Sequence, residues 1–308
     1  MNLYKFFFRL LLFILLTILS VIKTASAQML FDNRGNGHLT ETLSGDTDSN
    51  GLIVLTGKII SDKDNKPISY ASISVPSGNC GTVADKDGDF YLKLSKVLLN
   101  DTIHISALGF RPKSFCVKNI SIVLKYNPII TLNELDNQLK EVVISAKKIN
   151  VRTLGNTSCS KSISVGFPLK ALGSELGVRI ALGKKTVLFR SFSFNISQTR
   201  LDTCTFRLNI YALHNGIPAE NLLTQNILVG ISKTGLYKID LLPYKLLMQG
   251  DVAVSLEWVD GKSSTNVGAV FFSASLLSSC YHRENTGADW TRLKGIGAGF
   301  NLQVEDGD

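Results

Sequence analysis

Apolar and polar residues alternate one by one along much of this chain. Ala71, Ile73 and Val75 are separated by Ser72 and Ser74, and Phe90, Leu92 and Leu94 by Tyr91 and Lys93. Phe206, Leu208, Ile210 and Ala212 are separated by Arg207, Asn209 and Tyr211. Successive side chains of a strand point to opposite faces, so this pattern commits each segment to a strand with one buried face. Further strands are expected over Leu52–Ser61, Asp101–Leu108, Ile120–Leu124 and Ile129–Leu132. Asp85-Lys86-Asp87-Gly88-Asp89 supplies a hairpin turn between two of them, with Asp-Gly as its signal. Six or seven short strands in about 80 residues predict an antiparallel sandwich.

The alternation starts only at Leu52. Before it, Lys5 and Arg9 precede the apolar run Leu10–Ile22, and Ala25-Ser26-Ala27 follows. A positive end, a short apolar run and small residues at a cut site predict a secretory signal peptide over 1–27. The run is too short for a bilayer, which needs roughly 20 apolar residues. No later segment is apolar enough to span one, so the mature chain is expected outside the cytoplasm with no transmembrane segment. Residues 28–51, rich in Gly, Asn, Asp, Ser and Thr, read as a flexible leader. Loss of Lys5, Arg9 and Lys23 with the signal lowers the formal net charge from +8 to +5. No run of Lys or Arg exceeds two residues, whereas nucleic-acid binders show a concentrated basic stripe. Nucleic acid is therefore excluded as a partner. A hydrophobic content of 44% excludes a disordered chain.

The motifs of the first half occur in a recognisable order. Gly57-Lys58-Ile59-Ile60 is followed by Pro67-Ile68-Ser69-Tyr70-Ala71-Ser72-Ile73-Ser74-Val75. Gly81-Thr82-Val83-Ala84 leads into the Asp-rich turn and Phe90, and then come Asp101-Thr102-Ile103, Leu108-Gly109-Phe110 and Leu139-Lys140-Glu141-Val142-Val143-Ile144. In this order residues 52–148 resemble the carboxypeptidase-regulatory-like domain. The resemblance implies a transthyretin-like, seven-stranded β-sandwich with no catalytic role. Such domains stand beside carboxypeptidases and, in Gram-negative bacteria, at the front of TonB-dependent receptors. There a segment like Glu141-Val142-Val143-Ile144 leads into the plug; here it is read as a last strand or connecting segment, with edgewise pairing to a partner as the alternative.

Residues 149–160 read as a linker. Strands are then expected over Val187–Ile196, Phe206–Ala212, Ile227–Ser232, Leu236–Leu241, Val252–Trp258, Val267–Ser275 and Ala298–Val304, with helical turns near Glu220–Leu223 and Pro243–Leu247. Residues 161–308 are therefore predicted to form a second, jelly-roll-like β-sandwich. The chain as a whole reads as all-β, with two sandwich domains. Through Phe206–Tyr211 and Val254–Trp258 the second half resembles the C-terminal half of secreted bacterial proteins that begin with a regulatory-like domain, a likeness that implies no activity.

The search for chemistry excludes more than it finds. No G-x-S-x-G elbow is present. His38-Leu39-Thr40-Glu41 spells H-x-x-E but falls in the leader, outside any core that could fix ligand geometry. Asp85, Asp87 and Asp89 have the start of a calcium-loop spacing, yet Phe90 and Lys96 occupy the positions that need Gly and Glu. No cofactor, metal or catalytic residue is expected. The cysteines, Cys80, Cys116, Cys159, Cys204 and Cys280, show no zinc spacing and are read mostly as small buried hydrophobes, with Cys80–Cys116 as the one pair a bridge would join. One polar stretch ending in an aromatic, Cys280–Trp290, has the make-up of a sugar-binding loop. Its candidate ligand residues are Tyr281, His282, Arg283, Asp289 and Trp290, with a Trp290 that merely covers the end of the sandwich as the alternative. Trp258, on an alternating strand, is expected in the core. The sequence thus predicts a non-enzymatic exported protein whose partner is a cell-envelope protein or polysaccharide. A carbohydrate-binding or adhesin-like module is the competing reading.

Overall fold

The computed structural model describes residues 51–135, 150–168, 172–263 and 268–306. The expected signal peptide, the expected leader up to Asn50, His38, Glu41 and Glu141-Val142-Val143-Ile144 lie outside the described residues.

The first half contains β1 (Leu52–Ser61), β2 (Ser72–Val75), β3 (Cys80–Val83), β4 (Asp89–Ser95), β5 (Thr102–Ser106), β6 (Lys113–Cys116), helix α1 (Val117–Tyr126) and β7 (Ile129–Leu132). They make a three-stranded sheet, β4-β1-β7, and a four-stranded sheet, β3-β2-β5-β6. Phe90, Leu92 and Leu94 of β4 turn inward while Tyr91 and Lys93 face water, as the alternation requires. They meet Ile73, Val75, Ile103 and Ile105 in a mainly aliphatic core. The Asp-rich turn is explained by its own hydrogen bonds. The Asp85 carboxylate accepts from the amides of Asp87, at 2.8 Å, and Asp89, at 2.9 Å. Gly88 has φ +77°, and a Cβ there would run into the Ile59 carbonyl.

Ile120–Leu124, expected as a strand, belongs to helix α1. Val117, Ile120 and Leu124 are its buried residues, a spacing of i, i+3 and i+7 that marks one face of a helix. A short β-branched apolar run does not separate the two periods; the lysines and asparagine around it, on the exposed face, do.

The second half contains β8 (Val151–Gly155), β9 (Ser164–Pro168), β10 (Glu175–Ala181), β11 (Val187–Thr199), β12 (Thr203–His214), β13 (Ile217–Asn221), β14 (Ile227–Ile231), β15 (Gly235–Asp240), β16 (Leu247–Met248), β17 (Asp251–Lys262), β18 (Ala269–Arg283), β19 (Thr291–Ala298) and β20 (Phe300–Asp306). They are hydrogen-bonded into thirteen strands along the path β13-β12-β17-β10-β18-β11-β20-β8, with the rest branching from it. The two layers of a jelly-roll-like reading are therefore joined, and β18 is the joint. Its first part pairs with β9 and β11, its last part with β10 and β19. Between them the register shifts around Leu276–Ser279, and Leu277 takes φ +58° with its side chain wholly exposed. A bulge of this kind bends a strand and lets it pass from one layer to the other.

The inward residues of both layers share one core. Phe272 of β18 lies 5.1 Å from Phe300, 5.4 Å from Phe206 and 5.7 Å from Phe194 between ring centroids. Trp258 is buried in the same cluster, as expected. Two expectations are corrected. Val151–Gly155, placed in the linker, is strand β8 and pairs with β20, and Asn156 donates to Ser275 Oγ at 2.8 Å. Residues Ile217–Asn221 form β13 instead of ending in a helical turn at Glu220; the second expected turn is a 3-10 turn over Leu242–Tyr244. All five cysteines are free, so Cys80 and Cys116 are not bridged. Cys80 Sγ approaches the Val75 carbonyl and Cys116 Sγ the Leu99 carbonyl instead. Burial pushes the Cys280 thiol up to about 11.

Candidate functional site

Four neighbouring strands of the second half, β12, β17, β10 and β18, carry their apolar side chains into the phenylalanine core. Their other side chains form a row on the outer face. The register sets Arg207 opposite Glu257, Asn209 opposite Ser255 and Tyr211 opposite Ala253. It also sets Glu175 opposite both Glu257 and Arg283. The alternation turns Arg207 and Asn209 away from the phenylalanine core, yet they do not face water. The structure buries Arg207, Asn209, Glu175 and Glu257, with Glu175 at 0% exposure.

Burying two carboxylates is tolerable only if they are paired and hydrogen-bonded. Arg207 donates from Nε and Nη2 to Glu257 Oε2 at 3.0 and 2.7 Å. Asn209 Nδ2 donates to the same oxygen and to Glu175 Oε1, both at 2.8 Å. Glu175 also accepts from Ser255 Oγ at 2.5 Å, Tyr211 OH at 3.1 Å, and Arg283 Nε and Nη2 at 2.9 and 2.5 Å. Among the described residues Glu257 Oε1 has no hydrogen-bond partner. Burial, reinforced by the Glu175 charge, holds the Tyr211 phenol well above its ordinary value, so it is a neutral donor. Burial pulls the Arg283 guanidinium down, but the charge of Glu175, with Tyr211, Glu257 and the hydrogen bond to Glu175 added, turns the net direction upward.

The first half of the chain covers one end of this row. Arg207 Nη1 donates to the Tyr70 carbonyl at 2.6 Å, and Nη2 to Ser72 Oγ at 3.0 Å. Tyr70 and Val83 pack with Val259 in a small apolar cluster beside it. The other end is covered by Trp290. Its ring packs edge-on against Tyr211 at 5.6 Å and Tyr281 at 6.4 Å, and the Arg283 guanidinium lies 4.7 Å from its centroid.

The five predicted ligand residues are therefore split among different tasks. Tyr281 is buried, and its hydroxyl donates to the Gly216 carbonyl at 2.7 Å. Arg283 belongs to the Glu175 cluster. Trp290 is half-buried over that cluster, with Arg283 against one ring face. His282 is half-buried; burial lowers its pKa against the opposing pull of Glu284. Asp289 is exposed. The loop after β18 meets the first half of the chain. Asn285 Nδ2 donates to the Asn79 carbonyl at 3.0 Å, and Thr286 Oγ1 to the Ile73 carbonyl at 3.2 Å. A Cβ on Gly287 would collide with the Cys80 carbonyl, so the two backbones touch there.

A cleft of about 260 Å³ lies elsewhere, lined by Asp64, Lys66, Ile68, Phe110, Glu134 and Asn226. It holds none of the predicted residues, and it falls below the roughly 300–1,000 Å³ of small-ligand pockets. Its Asp64 and Lys66 are paired to each other at 2.7 Å. Glu175, Arg207, Asn209 and Glu257 escaped sequence reasoning because nothing local to a strand tells which outer face another part of the chain will cover.

Residues 55–144 match the family model of the CarboxypepD_reg-like domain. The match covers β2–β7 and β1 from Leu55 on, where the resemblance was read. No curated protein matches the chain. Among solved structures, the clostridial cysteine protease Cwp84 after propeptide cleavage is similar over 88% of this chain and 75% of its own, at 10% identity and a TM-score of 0.38. A likeness that slight carries no argument about activity.

Proposed function

We propose that this is a non-enzymatic, exported cell-envelope protein in which a regulatory-like sandwich and a second β-sandwich act together as one structural or protein-interaction unit. The match to a CarboxypepD_reg-like domain suggests a non-catalytic module for the first half. The observation that carries the reading is where the densest polar constellation sits. Glu175, Glu257 and Arg207 are buried, Arg283 is mostly so, and they are bonded to one another, with Arg207 bonded also to the first half. Groups so engaged hold a structure together; they do not await a substrate.

The same observation argues against the carbohydrate reading. A sugar-binding aromatic offers a free, flat face, whereas Arg283 lies over one face of Trp290 and two tyrosines pack against the ring in T-shaped contacts. Export is supported by Lys5, Arg9, the apolar run and Ala25-Ser26-Ala27. The test is expression of the whole chain in a Gram-negative host. A chain beginning at Gln28 in the envelope fraction supports the proposal, and an unprocessed chain in the cytosol contradicts it. A glycan array probed with the same protein is expected to stay blank. Binding that disappears in Trp290→Ala would restore the carbohydrate reading.

A further inference from the structure

Helix α1 is apolar on two sides. Val117, Ile120 and Leu124 pack into the core of the first half. At 3.6 residues per turn, Ile122, Val123 and Tyr126 fall on the opposite side. There they are 51%, 50% and 88% exposed. The 3-10 turn Lys96–Asn100 packs beside the helix and exposes Val97 at 83%. Single exposed apolar residues need no explanation, but four gathered on one helix and its neighbouring turn do.

The charge of the segment that holds them is one-sided. Residues 90–133 carry Lys93, Lys96, Arg111, Lys113, Lys118 and Lys125 against a single acid, Asp101. The rest of 52–148 is close to neutral. The positive surplus of this half is therefore concentrated on the segment that holds α1. Lys96, Lys118 and Lys125 stand exposed beside the apolar residues.

We propose that the outer face of α1, with the turn at Val97, docks onto an anionic lipid surface. The chemistry fits in each part. Ile122 and Val123 supply apolar area, and Tyr126 has an apolar body with a polar tip suited to the headgroup boundary. Lysine stems extend along apolar surface while their ammonium groups reach phosphate. A second copy of this face is a poor occupant, because a two-fold interface would set its lysines against like charges. The contact is peripheral: no helix among the described residues is long and apolar enough to cross a membrane. The inference does not rest on the reading of the protein as an envelope module.

The experiment is sedimentation of the full chain with vesicles of phosphatidylcholine alone and with added phosphatidylglycerol. Binding is expected with the anionic vesicles and is expected to weaken with salt. The pair Lys118→Gln and Lys125→Gln is expected to bind about 25-fold more weakly, since each lysine near an anionic surface is worth about fivefold. Ile122→Ser with Tyr126→Ser is expected to lose most binding. These residues are exposed, and an unchanged melting temperature will show that the variants fold. The apolar stretch Leu10–Ile22, flanked by Lys5, Arg9 and Lys23, is common to every variant, so binding through it would be the same for wild type and for all variants. That result, or no binding to anionic vesicles, overturns the proposal. So does a concentration-dependent dimer that Tyr126→Ser abolishes, which would make the face a self-interface.

Discussion

Two surfaces of this molecule invert the ordinary rule of burial. The outer face of β12, β17, β10 and β18 carries Arg207, Glu175 and Glu257, which are buried, and Arg283, whose side chain is only 16% exposed. The outer face of α1 carries Ile122, Val123 and Tyr126, and it is exposed. Residue type alone would assign them the other way round. The difference lies in what covers each face. The charged face finds its partners within the chain, through Tyr70, Ser72 and the loop after β18. The apolar face finds none among the described residues. A buried charge thus reports an internal interface already formed, and an exposed apolar face points outward.

That contrast can be broken most forcefully at Glu175. Glu175→Ala leaves Arg283 buried without its carboxylate, and an orphaned buried charge costs about 3–5 kcal/mol. Urea unfolding should show a loss of that size; a loss under about 1 kcal/mol, the range of exposed ion pairs, would mean that the cluster is solvated after all. Next comes the backbone contact beside it. Gly287→Ala pushes a methyl group into the Cys80 carbonyl, and overpacking of this kind costs about 1–3 kcal/mol. An unchanged midpoint would show that the loop does not seat on β3.

A smaller effect follows from His282. Burial holds its pKa below the ordinary 6.5 in the folded chain. The unfolded chain therefore binds a proton first as the pH falls. The contribution of His282 to stability is complete above about 6.5 and is lost as the pH drops from there through the lowered folded value. Melting curves over this range should decline, and His282→Gln should flatten the decline. An equal slope in wild type and variant would exclude His282 as its source. The smallest expected effect is at the apolar face. Ile122→Ser and Tyr126→Ser should each change stability by no more than about 0.5 kcal/mol, as surface substitutions do. A larger loss would place those side chains in a contact within the chain.

Much of the first half was legible in the sequence. Its strands bury one face each, so the period-two alternation of Phe90, Leu92 and Leu94, or of Ala71, Ile73 and Val75, survives intact, and the motif order pointed to the matched family. Helix α1 was misread because Ile-Ser-Ile-Val-Leu fits either period over five residues. Strand β10 went unseen because Gly173, Ser174, Glu175 and Gly177 look like a turn. Gly177 is in fact required by the close approach of Ser255, and Glu175 by partners 34 to 108 residues away. The candidate site was half legible for the same reason. Arg283 and Trp290 stood out as a polar residue beside an aromatic, but their partner Glu175 and the covering first half are long-range facts. Locally, a residue that binds a ligand and a residue that binds the rest of its own chain look alike.

The central claim is that the two hydrophobic cores are locked together through the buried row around Arg207. Both belong to one compact unit, and Arg207 reaches from the second half to Tyr70 and Ser72 of the first, as Asn285 and Thr286 reach to Asn79 and Ile73. Calorimetric unfolding of the full chain tests this directly when wild type is set beside Arg207→Met. A single transition in wild type that separates into two in the variant is the predicted result. Two transitions already present in wild type, and unmoved by the substitution, would contradict it.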